Sequence, residues 1–368
     1  MCIKRIVHFS ITLGLAFLVV SCQYEAPLLA KKTNLRKTIK GEAQGTTYSI
    51  VYYSDSIELV KAEIDSILLE IDFSMSTWNS ESIISKFNNG QDSVLLDRHF
   101  IRNLEMSHIY SRSTEGAFNP TVKPLLDYYG LGANNSNNIE IDSSEVSRIL
   151  KCAKMDSINV LLGERTLDLN GLLLSSDKGS AIKLLQNACK QQLDFNAIAQ
   201  GYSVDVLSQF CQYRGLKSFL IELGGEMYAK GKRPAGENWL IGIDKPTEDV
   251  GKRTLQAKLR VEDKAIATSG NYRKFTDIDG VKFHHTINPK TGYPAKNSLL
   301  SATVISDDCA TADAFATAFM VMGFEQSVGF LSTEDGKTLD AFLIYSEKGE
   351  YKFFTTKGVE DRLEIDLQ

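Results

Sequence analysis

The stretch 309–323, CATADAFATAFMVMG, is what any fold of this chain has to accommodate. Thr311 is placed to cap a helix that ends at Gly323, and glycine suits the left-handed residue just past a helix terminus. Most of the other positions are Ala, Phe, Met or Val, so this helix must be buried around most of its circumference. Asp313 and Thr317 stand in that apolar wall, four residues apart and therefore on one face. Two readings are open at this point. A carboxylate beside a hydroxyl near the start of a buried helix offers hard oxygens to Mg²⁺. Alternatively, Asp313 only favours the helix dipole and Thr317 bonds back to a carbonyl.

The rest of the chain supplies what could enclose such a helix. With 368 residues, 43% of them apolar, there is material for one large or two modest domains. Residues 46–53, TTYSIVYY, are β-branched and aromatic and predict a strand. Ile57, Val60, Ile64, Leu68 and Ile71 repeat at helical spacing, and a loop over 75–88 leads into a short helix. A second amphipathic helix spans 97–115, with His99 and His108 on its presumed outer face, and 117–132 is broken by Pro120, Pro124 and glycines. Residues 133–140 read as an exposed loop, Asp142-Ser-Ser-Glu145 as a helix start, 166–174 as a strand, and 180–190 as a packed helix. A further helix follows 196–205 and stops at Gly215. Strands then dominate, at 219–223, 239–243, 255–261, 264–268, 300–305, 341–345 and 351–355. This order predicts an α+β fold with a mostly antiparallel mixed sheet flanked by helices, and no repeat suggests a solenoid.

At the N-terminus, Lys4 and Arg5 precede an apolar run over 11–20, too short for a membrane span but suited to a secretory signal. The run closes on Leu18-Val19-Val20-Ser21-Cys22, which resembles the bacterial lipobox, with Cys22 lipidated at the mature N-terminus. The expected organisation is a signal over 1–21, a Lys-rich tether over 22–40 and a domain over 41–360, anchored to a membrane and facing the periplasm. Cys152, Cys189, Cys211 and Cys309 remain. An exported compartment permits disulfides, but their apolar, helix-like settings predict buried thiols. A net charge of −5 with no basic stripe argues against a nucleic-acid partner.

Glu222-Leu-Gly-Gly-Glu226 follows a strand; paired glycines permit close backbone approach to a ligand, and bare N–H groups suit phosphate oxygens. Thr268-Ser-Gly-Asn-Tyr272 leaves another strand. His285 lies beside the turn Asn288-Pro-Lys-Thr-Gly292, where a loop histidine is either a general base or an inert strand end. There is no GxSxG elbow, Walker loop or Rossmann fingerprint.

In this order, several stretches resemble the FAD:protein FMN transferase family, flavin transferases of the ApbE type. They are Gly45-Thr-Thr-Tyr48, Met75-Ser-Thr-Trp78, Gly116-Ala-Phe-Asn-Pro-Thr-Val122 with Pro124-Leu125, Ile198-Ala-Gln-Gly-Tyr202 with Asp205, and Leu223-Gly-Gly225. The series continues with Thr268–Tyr272, His285-Thr-Ile-Asn-Pro-Lys-Thr-Gly292, Ala312-Asp313 and Ala316-Thr317, so the resemblance covers about 41–345. It implies an enzyme that binds FAD and Mg²⁺, splits the pyrophosphate, and attaches FMN through a phosphoester bond to a Thr of an acceptor protein. Acceptors are typically subunits of membrane redox complexes, and some similar proteins hydrolyse FAD to FMN and AMP instead.

The resemblance also implies roles for individual residues. Asp313, Thr317 and the Ala199 carbonyl would hold Mg²⁺, and His285 would sit at the transferred phosphate as base or charge stabiliser. Trp78 would stack on a ring of FAD, Ala117, Phe118 and Asn119 would line its site, and Asn196, Tyr202 and Ile287 would touch it, with Gly224 and Gly225 as the close-approach turn. The chain departs from the family pattern at Asn119 and Asn288, where Asp is frequent, at Gln200, in Asp194-Phe-Asn-Ala, and at Ala316, where some members carry a second acid. Those departures keep open a flavin-binding lipoprotein without chemistry as a third reading.

Overall fold

The computed structural model describes residues 35–132, 141–174, 181–245, 255–271, 275–278, 281–284 and 286–364. Signal, Cys22, most of the tether, the 133–140 loop and His285 lie outside the described residues.

The first half runs β1 (Arg36–Ala43), β2 (Thr46–Tyr53), α1 (Lys61–Met75), α2 (Ile83–Asn88), β3 (Ser93–Leu95), α3 (Arg98–Ser113), α4 (Lys123–Tyr128) and α5 (Ser143–Cys152). Next come β4 (Asn159–Leu162), β5 (Arg165–Asp168), α6 (Leu169–Leu174), β6 (Ile182–Leu185), α7 (Ala199–Tyr213), β7 (Phe219–Leu223) and β8 (Glu226–Lys230). The chain continues through β9 (Trp239–Asp244), β10 (Leu255–Val261), β11 (Lys264–Gly270), β12 (Phe275–Ile278), β13 (Val281–His284) and β14 (Leu299–Ser306). It closes with α8 (Cys309–Met322), α9 (Phe324–Leu331), β15 (Asp340–Glu347), β16 (Glu350–Thr355) and α10 (Lys357–Glu360).

Among the described residues, eight strands form one antiparallel sheet in the order β1-β2-β7-β8-β11-β14-β15-β16. The α+β expectation therefore holds. One face packs Tyr48, Ile50, Ile221, Ala267 and Val304 against α1, α7 and α8. The other buries Ile266, Ile305 and Phe342 beneath the β9–β10 hairpin and Val359 of α10. A second core joins α2, α3, α6 and the four-stranded sheet β3-β6-β4-β5. At about 25 cal/mol per Å² of apolar surface removed from water, cores of this extent are the main stabilising contribution.

The helix α8 belongs to both cores: Ala312, Phe315, Ala316 and Phe319 face the large sheet, while Ala310, Ala314, Ala318 and Val321 face the second. It ends at Gly323, whose φ of 78° only glycine adopts readily. Its cap, however, is Asp308, not Thr311. Asp308 is extended and its Oδ1 accepts from the Thr311 N–H at 2.8 Å, whereas Thr311 already lies inside the helix and donates its hydroxyl to Asp308 Oδ2.

Other expectations are corrected. The 180–190 segment contains strand β6, because Ile182 and Leu184 point inward at a period of two and pair with β3 and β4. The 166–174 segment is split: β5 stops at Asp168, whose Oδ1 accepts from the Gly171 N–H at 2.7 Å and starts α6. Pro120 and Pro124 do not abolish regular structure, since each occupies the first turn of a short helix, where a missing N–H costs nothing. The tether reading ends too late, as β1 begins at Arg36 and pairs with Tyr53. His99 and His108 face the core rather than solvent, hydrogen-bonded to Tyr202 and Asn170. Finally, Cys152 and Cys189 form a disulfide rather than two thiols, because Cys189 sits in an exposed turn after β6 instead of a helix. Cys211 and Cys309 are buried thiols as expected.

Candidate active site

The N-terminal turns of α7 and α8 cross closely. At the crossing, Gly201 meets the Cys309 carbonyl and the Asp313 Cβ, which would lie 2.8 Å from a Cβ built on Gly201. Its N–H donates to Asp313 Oδ2 at 3.1 Å. In return α7 sends Asp205 to the start of α8: Oδ1 accepts from the Cys309 N–H at 2.7 Å and Oδ2 from the Ala310 N–H at 2.9 Å. These are orphan donors of a helix terminus, and a carboxylate there also meets the favourable end of the dipole.

The oxygen donors named from the sequence lie on α7 and α8, the two helices that cross here. Asp313 is 5% exposed. Thr317, one turn along, pairs its hydroxyl with that of Ser269 on β11 at 3.1 Å. The Ala199 carbonyl opens α7 and accepts from Ser203 Oγ at 2.8 Å, and Ser203 Oγ accepts from Gln44 at 2.7 Å. The Gly224-Gly225 turn joins β7 to β8, with φ of 68° and 122°, and the Gln200 amide packs against Gly224. Both N–H groups of this turn are engaged, Gly224 with the Thr47 carbonyl at 3.2 Å and Gly225 with Glu222 Oε1 at 3.0 Å. The turn therefore offers close backbone approach but not the bare donors expected of it.

The electrostatics are one-sided. Burial pushes Asp313 up to about 7, against the opposing Gly201 N–H. Asp205 is likewise pushed to about 7 by burial, opposed by the N–H groups of Cys309 and Ala310. Glu226, first on β8, is raised well above the carboxylate range by burial and then by the charge of Asp313. The enclosed Cys309 thiol is pushed up by burial and by Asp205, Glu226, Asp313 and Asp308. Such a cluster of buried acids is complementary to positive charge. No group of three or more His, Cys, Asp or Glu side chains is placed to hold a metal among the described residues. A set of carboxylate, hydroxyl and carbonyl oxygens is nevertheless what Mg²⁺ prefers, and it usually takes one or two carboxylates.

Other residues singled out from the sequence lie at varied depths. Trp78 is 74% exposed, leaving its ring face open for stacking. Ala117 and Phe118 are core residues, with Phe118 edge-on to Tyr110 at 6.1 Å, so only their backbone could line a ligand. Asn119 caps a short 3-10 turn through Thr121 and donates to the Ala153 carbonyl, a job for its amide independent of any ligand. Asn196 is exposed and its amide and N–H bond to Asp194. The Tyr202 hydroxyl lies 2.9 Å from His99 Nδ1. Ile287 is buried with Leu125, Tyr129 and Val146, which docks the 286–295 loop on α4 and α5. Sequence reasoning took the glycines of Glu222-Leu-Gly-Gly-Glu226 and passed over Glu226; a carboxylate right after a strand-to-strand glycine turn was the available signal. Asp205 is four residues after Gly201 and thus on its face of α7, which the motif alone does not tie to α8.

Comparison with known proteins bears on the whole fold. The sequence model of the ApbE family matches residues 44–343. The FAD:protein FMN transferase of Vibrio cholerae is 31% identical over 332 residues, covering 87% of this chain and 92% of that protein. The one from Haemophilus influenzae is 28% identical, covering 93% of each. Among solved structures, the flavin transferase ApbE from Vibrio cholerae superposes with a TM-score of 0.75 at 27% identity, covering 90% of this chain and all of that one. The apo flavinyl transferase ApbE of Pseudomonas stutzeri gives a TM-score of 0.74 at 25% identity.

Proposed function

The chain belongs to the ApbE family, and we propose that it is a Mg²⁺-dependent FAD:protein FMN transferase that moves FMN from FAD to a threonine hydroxyl of an acceptor protein and releases AMP. The observation that supports the cation part of this reading is the buried Asp313 carboxylate at the α7–α8 crossing, held by the N–H of Gly201 two residues after Ala199, with Thr317 one turn further along α8. A carboxylate, a hydroxyl and a carbonyl oxygen, the carboxylate buried, are all-oxygen chemistry that fits Mg²⁺, and Asp313, Thr317 and Ala199 would hold it. When bound, such an ion supplies positive charge to pyrophosphate oxygens.

The protein's own part is positioning and proton handling. The glycine turn lets a phosphate group come close to backbone, and Trp78 presents a ring face for a flat heterocycle. In the transfer, the acceptor hydroxyl oxygen forms a bond to the FMN phosphorus while the bridging pyrophosphate bond breaks and AMP leaves. His285 takes the hydroxyl proton in this scheme. Incubation with FAD, Mg²⁺ and a candidate acceptor should give a fluorescent protein band that survives denaturation. Release of FMN and AMP without such a band would favour an FAD pyrophosphatase, and tight FAD binding without turnover a flavin carrier.

The same reading places the domain outside the cytoplasm, held to the membrane by a lipid on Cys22, where it would meet acceptor subunits of membrane redox complexes. Lys4, Arg5, the apolar run and Ser21-Cys22 support it, as does the Cys152–Cys189 disulfide, which suits an oxidising compartment. Palmitate labelling that Cys22→Ser leaves unchanged would defeat the anchor.

A further inference from the structure

Glu226 begins β8 directly after the glycine turn, is 7% exposed, and its Oε2 has no hydrogen-bond partner. The α8 helix lies against this strand, with Cys309 Sγ donating to the Met227 carbonyl at 3.4 Å. Asp313 is one turn further along the same face of α8, and because the Met227 side chain packs into the core beneath the β9–β10 hairpin, the preceding Glu226 faces the α8 side of the sheet. An interior carboxylate with an orphan oxygen is costly, since burying an unpaired polar group forfeits its hydration without return. A site of purely structural purpose would be served better by an amide or an apolar residue. What the pair lacks is positive charge.

We propose that Glu226 is a second carboxylate ligand, sharing with Asp313 a hard divalent cation such as Mg²⁺. This inference rests on the reading that Asp313 belongs to a cation site. Two carboxylates would neutralise the dication, and the orphan Oε2 would gain its missing partner. The competing account is a proton-sharing pair, in which a neutral Glu226 donates its O–H to Asp313 and no cation is involved at Glu226.

Glutamine separates the two, because it has the shape and donor capacity of a protonated glutamate but makes a poor Mg²⁺ ligand. The purified protein, stripped of metal and free of FAD, is titrated with Mn²⁺ alone, and free Mn²⁺ is followed by electron paramagnetic resonance. Asp313→Asn is titrated alongside. The expected result is loss of Mn²⁺ binding in Asp313→Asn and a weakening of about tenfold or more in Glu226→Gln. In EDTA, Glu226→Gln should melt at or above the wild-type temperature. Affinity of Glu226→Gln within about twofold of wild type, with Asp313→Asn deficient, overturns the role of Glu226 alone. Wild-type affinity in Asp313→Asn, or no Mn²⁺ binding by the wild type, overturns the cation site beneath it. A Glu226→Gln protein that melts well below wild type in EDTA marks Glu226 as a structural hydrogen-bond partner and also overturns the proposal.

Discussion

The N–H of Gly201 is bonded to Oδ2 of Asp313 at 3.1 Å, and the two residues are so close that a methyl group on the glycine would collide with the aspartate's own Cβ. The glycine is needed for space rather than for an unusual backbone angle. Gly201→Ala should therefore push α8 away from α7, lowering stability by about 1–3 kcal/mol and flavin transfer far more. Thermal melts beside the fluorescent-band assay would show the two effects diverging; equal, small losses would mean that the crossing is not tied to the chemistry.

Asp313 itself gains little from folding. Replacing it with Asn keeps the bond to Gly201 while removing a buried charge, so the fold should persist and melt at least as high as wild type. Flavin transfer should fall by about 100-fold or more if the carboxylate holds the cation. An active Asp313→Asn protein would refute that assignment, and an unfolded one would return Asp313 to a structural role.

The pH dependence has a definite sign. Asp205 and Asp313 are pushed up to about 7, so the stability of the metal-free protein is complete below the ordinary Asp range near pH 4 and declines as pH rises toward about 7. His99 works the other way: burial lowers its pKa, so stability is lost as pH falls below about 6.5. In EDTA, melting temperature should fall between pH 5 and about 7, and Asp205→Asn should flatten that slope. A slope identical to wild type would show that Asp205 is already ionised at low pH.

The Cys152–Cys189 bridge closes a sequence separation of 37 and ties α5 to the segment leading to Asn196. Gln191 reinforces it, donating to the carbonyls of Cys152 and Lys154 at 3.1 and 2.8 Å. Cys152→Ser with Cys189→Ser should cost about 3 kcal/mol, read as an earlier denaturant midpoint. An unchanged midpoint would mean the Gln191 bonds suffice.

Much of this arrangement was legible in the chain because local pattern and tertiary context agree there. TTYSIVYY is β2 to the residue, and the buried character of α8 follows from its composition alone. The disagreements have identifiable causes. Ile182 and Leu184 satisfy a strand, but Ala181, Leu185 and Ala188 stand at helical spacing, and only the partners β3 and β4 decide. His99 looks solvent-facing within an amphipathic helix until Tyr202, from a helix distant in sequence, arrives to bond it. The bonds of Asp205 to the start of α8 could not be read locally, because α8 reaches it only in the folded chain. Pairing Cys152 with Cys189 likewise needed the turn after β6.

Since α8 presents alanines and large apolar residues to both cores, only Thr311, Thr317 and Met322 remain partly exposed on it. A larger side chain on either side would shift the helix, and Asp313 would move with it. Packing errors in the four-stranded sheet or beneath the eight-stranded one should thus surface first as lost flavin transfer. Random mutagenesis would find the helix intolerant along its whole length, and suppressors of a core defect would arise in whichever core presses from the opposite side.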